Sequence, residues 1–310
     1  MSTFAYYNYQ FSKMISQPVQ GNLFEWTEPP ASPEENFLHK QEILSELLAA
    51  DSDGSRRIVF TRARGGRTHL HRHLVPFADD VAVLKISNRR VRRVETIDFR
   101  EEERPEYPAC IVIIDNRPGV QRIVIEKRAP AFSNVSQVQQ ILQATLRRLL
   151  RPYGLSLTID QLHTRAAFWS VANDRRQYPL GFRRITFRLP HLNLERLRKV
   201  MGSYLVAARE SFDSDLTWSQ SAVEGGQLNL DGHDPHQAAL INVLMEDVGG
   251  NGVISLQPNG KGQKTVHVGR ENYRLADLDS AVFDRLAEQD PRVRAEAMNE
   301  IKTFTKRYID

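Results

Sequence analysis

The chain alternates between short apolar runs rich in β-branched residues and longer stretches in which apolar positions recur every three or four residues. Residues 3–11, Thr-Phe-Ala-Tyr-Tyr-Asn-Tyr-Gln-Phe, are strand formers and predict a first strand. Pro29, Pro30 and Pro33 break the chain. Ser32 followed by Pro33-Glu34-Glu35 then marks a helix start, with Phe37, Ile43, Leu44, Leu47 and Leu48 carrying the helix to about Ala50. From 56 to 128 the pattern is β. Residues 58–60 and 81–86 are short apolar runs. The clearest unit is a hairpin, in which apolar residues 110–114 lead into Asp115-Asn116-Arg117-Pro118-Gly119, which is turn chemistry, and 120–128 returns.

A helix follows over 133–151. Val135, Val138, Ile141, Leu142, Leu146, Leu149 and Leu150 form its apolar stripe, and Ser133 or Asn134 supplies the cap. Pro152-Tyr153-Gly154 ends it, and 155–159 alternates as a strand. A similar series then returns. It comprises a strand over 183–189, a helix over 194–210 capped by Asn193, strands over 216–220 and 227–230, and a helix opened by Asp234-Pro235. A hairpin of 253–256 with 264–268 and closing helices over 275–289 and 291–308 complete it. Residues 163–182 have weak periodicity and read as a linker or exposed loop. They separate an N-terminal α+β domain (1–165), with a basic β-rich region, from a C-terminal α+β domain (166–310) with closing helices. The recurring strand–helix–strand order predicts an α+β fold with mixed or antiparallel sheets and helices on one face, as two ferredoxin-like (split βαβ) units. That order is similar to RNA-recognition and CRISPR-type RNA-binding modules, an analogy of topology alone.

Charge placement sharpens this picture. Residues 1–55 carry a net −6, residues 56–199 a net +16 and residues 200–310 a net −6, together the +4 of the chain. A basic centre between acidic flanks points to a polyanionic partner, which overall charge alone does not. The cations are 33 Arg and only 9 Lys, and arginine's planar fork suits phosphate and base stacking, although GC-rich coding gives the same bias. No apolar run reaches the roughly 18 residues that span a bilayer, and the N-terminus does not read as a signal peptide. The single cysteine, Cys110, lies in a strand-like run and reads as a buried apolar residue, consistent with a cytoplasmic location. Nucleotide hydrolysis has no support, because neither GxxxxGK[ST] nor GxGxxG occurs.

Four groups of residues carry candidate chemistry. In Arg64-Gly65-Gly66-Arg67-Thr68-His69-Leu70-His71-Arg72-His73, a strand would set His69, His71 and His73 on one face, where neutral imidazoles share a divalent metal. The same segment, with Arg62, Arg64 and Arg67 around a Gly-Gly pair, is a flexible basic loop suited to phosphate. Asp115 with Glu126-Lys127 superficially matches metal-dependent nucleases, but adjacent residues point to opposite strand faces, so the match fails. Arg147, Arg148, Arg151, Arg175, Arg176, Arg183 and Arg184, with Trp169 and Tyr178 among them, form a basic ladder with interleaved aromatics, as single-stranded nucleic acid requires. His233 and His236 beside the Asp234-Pro235 helix start read as capping residues.

The expectation is a cytoplasmic nucleic-acid-binding accessory protein without catalysis or cofactor of its own. It contacts single-stranded RNA or DNA through Arg64, Arg67, Arg72, Arg147, Arg148, Arg151, Arg175, Arg176, Arg183, Arg184, Trp169 and Tyr178, and serves bacterial antiviral defence. One alternative is an assembly subunit whose basic centre docks on an acidic flank of another copy or of a protein partner. The other is a metal-dependent nuclease built on His69, His71 and His73.

Overall fold

The computed structural model describes residues 1–14, 33–62, 66–95, 97–162, 165–189, 216–244, 254–260, 262–268 and 274–307. In chain order the described elements are β1 (Ser2–Lys13), α1 (Pro33–Leu38), α2 (Lys40–Ser52), β2 (Phe60–Thr61), β3 (Thr68–His69), β4 (His71–His73), β5 (Val81–Ser87), β6 (Arg90–Glu95), β7 (Glu101–Glu106), β8 (Ala109–Asp115) and β9 (Arg122–Glu126). Then come α3 (Val135–Leu150), β10 (Leu155–Gln161), α4 (Arg165–Ala172), β11 (Phe182–Leu189), β12 (Leu216–Ser221), α5 (Pro235–Val243), β13 (Ile254–Pro258), β14 (Val266–His267), β15 (Leu275–Leu278), α6 (Ala281–Arg285) and α7 (Pro291–Lys306). The class is α+β with antiparallel pairing, as the sequence pattern predicts; the sheet orders do not establish ferredoxin-like units. The chain forms two compact units. The larger holds residues 1–5, 11–159 and 275–310, and the smaller holds 6–10 and 160–274.

A seven-stranded sheet has the order β10-β1-β9-β8-β5-β4, and β15 also pairs β1. Its middle is the expected hairpin, with Val112 opposite Ile125 and Ile114 opposite Ile123. β8 and β9 are buried along nearly their whole length, which is why they read as continuous apolar runs rather than alternating ones. Helices α3 and α7 both pack against β9. Helix α3 starts where Asn134 accepts a hydrogen bond from the Ser136 N–H at 2.6 Å, and it buries Val138, Ile141, Leu142 and Leu146. Each such side chain contributes about 1.5–3 kcal/mol through its burial. Asp115 ends β8 fully buried, paired with Arg117 and accepting from Thr305 of α7, so the C-terminal helix is tied to the sheet. Glu126 accepts from the Ile111 N–H and from Ser2. Both carboxylates therefore carry structural hydrogen bonds.

The smaller unit is a four-stranded antiparallel sheet, β12-β11-β13-β14. One face packs on α4 and α5 through Phe168, Ala172, Ile185, Phe187, Ile241 and Leu256. Helix α4 lies inside the stretch expected to be a linker or loop, and Phe168 belongs to the core. The helix expected over 194–210 lies outside the described residues. Residues 227–230, expected as a strand, form none; Leu228 donates a single backbone bond to Phe182. Residues 275–278, expected as the start of a helix, are strand β15, held by Ser2–Ala5.

Candidate nucleic-acid interface and histidine cluster

The three histidines do not form one set. Strand β3 pairs with β2 and strand β4 with β5, so the chain changes partner at Leu70. His71 and His73 share a side of β4 and face Asp51 in the last turn of α2. His71 Nε2 lies 2.7 Å and His73 Nε2 2.8 Å from the same oxygen, Asp51 Oδ2. The other oxygen, Oδ1, accepts the Ile58 N–H at 2.6 Å. Phe60 meets the His71 ring edge-on at 4.7 Å. Burial pushes the Asp51 carboxyl up, but the bonds from His71, His73 and the Ile58 N–H outweigh it and hold the group well below the ordinary carboxylate range. An ionised carboxylate only accepts, so both imidazoles carry their proton on Nε2. His73 Nδ1 is buried and has no hydrogen-bond partner among the described residues. Asp51 lies 20 residues from His71, and no local spacing links them.

His69 turns elsewhere. Its Nδ1 lies 3.1 Å from the Ser87 carbonyl, which can only accept, so Nδ1 carries the proton. Burial holds its pKa below the ordinary histidine value, with smaller contributions from Arg67 and Arg62 in the same direction.

The arginines of the larger unit serve several ends. Arg147 donates to the Leu157 carbonyl at 2.7 Å, and Arg148 donates to the Val59 carbonyl and to Thr61, fastening α3 to its neighbours. Arg67 donates to the Arg89 carbonyl. Arg72 stands opposite Lys85 on exposed positions of β4 and β5. Arg151 is exposed in the turn that follows α3. Arg64 lies outside the described residues. The β6–β7 ribbon is exposed except at half-buried Val94 and pairs three of its four arginines, with Arg92 on Glu106, Arg93 on Glu101 and Glu103, and Arg104 on Glu102, while Arg90 donates to the Ala129 and Ala131 carbonyls. Arg92, Arg93 and Arg104 are therefore not part of a free basic field.

The smaller unit assembles a different surface. Ile185 and Phe187 point into its core, so Arg184 and Thr186 point out. The register sets Ser221 and Gln257 beside Arg184, Ser219 and Ser255 beside Thr186, and His267 beside Ser255. The row is knitted by Arg184 Nε to Ser221 Oγ at 3.0 Å, by Thr186 with Ser219 at 2.9 Å and by Ser255 with His267 Nδ1 at 3.0 Å. No carboxylate occurs at these positions. A register shift between Phe182 and Arg184 leaves Arg183 exposed as well. Arg183, Arg184, Ser221 and Gln257 continue into an open groove of about 930 Å³ that Gln227 and Asn259 also line, and Glu224 is its one acidic residue. Arg175 reaches the same place through Gln227 at 3.2 Å, and Arg176 is exposed nearby in sequence. Neither Arg183 nor Arg184 has an ion-pair partner among the described residues.

The two aromatics expected among these arginines pack on the core instead. Trp169 lies edge-on to Phe168 at 4.8 Å and beneath Gly232, and Tyr178 lies against Phe182 at 4.9 Å. Both are half-buried. The outward face offers charge and hydroxyls without a row of flat rings.

Among the described residues no helix is long and apolar enough to cross a membrane. No family model matches the chain, and neither a curated protein nor a solved structure matches it significantly.

Proposed function

We propose that the protein binds single-stranded nucleic acid through the outer face of the β12-β11-β13-β14 sheet and the groove beside it, as a cytoplasmic accessory protein without catalysis of its own. The observation that carries this reading is the composition of that face: Arg183 and Arg184 without ion-pair partners among the described residues, ringed by Thr186, Ser219, Ser221, Ser255 and Gln257, with no carboxylate in the row. Guanidinium and hydroxyl donors are what phosphate oxygens accept from, and the open strand surface matches an extended chain. Because the aromatics are inside, contact is to the backbone, and sequence preference is weak. A role in antiviral defence or nucleic-acid processing belongs to this reading. The test is a gel-shift panel of single- and double-stranded RNA and DNA at low salt. Retarded single strands are expected; absence of any shift with all four probes overturns it.

A second reading attaches to Asp51, His71 and His73. Two imidazole nitrogens and a carboxylate oxygen, all within 4.8 Å of one another, form a donor set for a transition metal ion, and Ile58 orients the carboxylate as an outer partner would. Against it stands the buried His73 Nδ1, since a ligating imidazole usually donates its other proton to an acceptor. Metal analysis of the purified protein decides: a stoichiometric metal that Asp51→Asn removes supports ligation, and metal-free protein unmoved by added zinc leaves a hydrogen-bonded clamp.

A further inference from the structure

Apart from the sheet face, the larger unit holds a small, basic cavity of about 50 Å³. A water needs ~10–15 Å³ of such space, so the cavity takes roughly three to five non-hydrogen atoms: a compact group, not a nucleobase. Arg62 and Arg67 stand at it, with His69, Asn88, Phe132 and Gln137.

Strand register explains why these residues meet. Phe60 pairs with His69 and Thr61 with Thr68, and the Arg62 N–H donates to the Arg67 carbonyl at 3.0 Å as the next rung. Cross-strand partners share a face, and so do positions two apart, so Arg62, Arg67 and His69 lie on one side of the β2–β3 ribbon. Two like charges directly opposite each other are unfavourable unless something anionic lies between them. Both guanidiniums are exposed and lack carboxylate partners among the described residues, whereas His69 is only 7% exposed. Gln137 belongs to the first turn of α3, a 16-residue helix whose N-terminal end is the positive end of its dipole. Asn88 is held in place by its bond to the Ala131 carbonyl at 2.9 Å.

The decisive atom is His69 Nε2. It is buried and has no hydrogen-bond partner among the described residues. The Ser87 carbonyl fixes the proton on Nδ1, so Nε2 offers a lone pair. A ligand for this cavity is thus small, negatively charged, and carries an O–H to donate. Hydrogen phosphate meets all three conditions, as does a phosphate monoester in its singly protonated form. Sulfate and phosphodiesters at neutral pH have no such proton.

We propose that this cavity binds phosphate, either free or as a terminal monoester, with Arg62 and Arg67 pairing its charge and His69 Nε2 accepting its P–O–H proton. The proposal stands apart from the sheet-face reading, because it concerns other residues and is tested with phosphate alone. Calorimetry of the full chain with sodium phosphate and with sodium sulfate, at pH 7 and matched ionic strength, tests it. Phosphate is expected to bind roughly tenfold more tightly than sulfate, the worth of one hydrogen bond. Arg67→Ala and Arg62→Ala, both at exposed positions, are expected to weaken phosphate at least ~10-fold each, as the loss of a charge-assisted bond does. His69→Gln is expected to shrink the phosphate-over-sulfate preference; should it not fold, the arginine variants decide. Competition by phosphate against 5′-phosphorylated but not 5′-hydroxyl oligonucleotides assigns the site to chain ends, and phosphate binding without that competition assigns it to the free ion. Equal binding of phosphate and sulfate, or phosphate binding unchanged by Arg67→Ala and Arg62→Ala, overturns the proposal.

Discussion

Replacing Asp51 by Ala removes the acceptor on which three groups converge. The Ile58 N–H, His71 Nε2 and His73 Nε2 all point at this side chain, whose own exposure is 1%. Each buried donor left without a partner costs about 1–3 kcal/mol. The imidazoles sit at 6% and 8% side-chain exposure, close enough to solvent to recover part of that. The net cost is therefore about 3–5 kcal/mol, toward the lower end of the sum. For a unit of this size each kcal/mol lowers Tm by about 2–4 °C, so the shift is about 6–20 °C. Asp51→Asn is expected to cost less, about 1–3 kcal/mol. The amide keeps one acceptor oxygen, but its NH2 then faces either the Ile58 N–H or both imidazoles, and a proton moved to His73 Nδ1 finds no acceptor among the described residues. The native carboxyl titrates below its unfolded counterpart, so its contribution is complete above about pH 5 and is lost as pH falls through and below about 4. Urea and thermal melts of the three proteins at pH 7 and pH 3 measure both effects. A Tm for Asp51→Ala within about 2 °C of wild type at pH 7 would refute the argument.

Further expectations concern the rest of the larger unit. Burial and the neighbouring Glu126 push the Cys110 thiol up to about 12, so the native protein resists a thiol reagent at pH 8 while the unfolded chain reacts at one site; rapid native reaction contradicts this burial. Asn134→Ala removes the cap of α3 and is expected to cost about 1 kcal/mol in urea unfolding, an effect absent if the Ser136 N–H finds water equally well. Arg92→Ala on the exposed β6–β7 ribbon is expected to change stability by less than about 0.5 kcal/mol, since its partner Glu106 is also solvated; a larger loss would mean the ribbon packs on something.

Legibility followed the range of the interactions. The β8–β9 hairpin and α3 were readable because apolar runs, turn residues and Asn134 all sit within a few positions of one another. Helix α5 was readable from Asp234 and Pro235 for the same reason. Strand β15 was not, because its partner is the N-terminal strand, 270 residues or more away. The β6–β7 ribbon has charge on both faces, so it shows no alternation, and ion pairs between its strands stand in for a pattern. Helix α4 is short and contributes few core residues, hence its weak period. At the candidate sites, histidine spacing indicated that His71 and His73 would share a side, but Asp51 and the strand change at Leu70 depend on tertiary structure. The basic ladder included Arg183 and Arg184 as phosphate contacts, and both are exposed; it could not show that Trp169 and Tyr178 pack on the core, because aromatics serve packing and stacking equally well in a sequence.

Salt dependence of single-strand binding, read by fluorescence anisotropy, probes the sheet face most directly. With Arg175, Arg183 and Arg184 each neutralising one phosphate, log K falls with log salt at a slope of about −2, so affinity drops about 20-fold between 50 and 200 mM. Arg183→Ala/Arg184→Ala is expected to flatten that slope to about −0.7 and the drop to about threefold. A double variant with wild-type affinity and wild-type slope would show that nucleic acid, if bound at all, is held elsewhere.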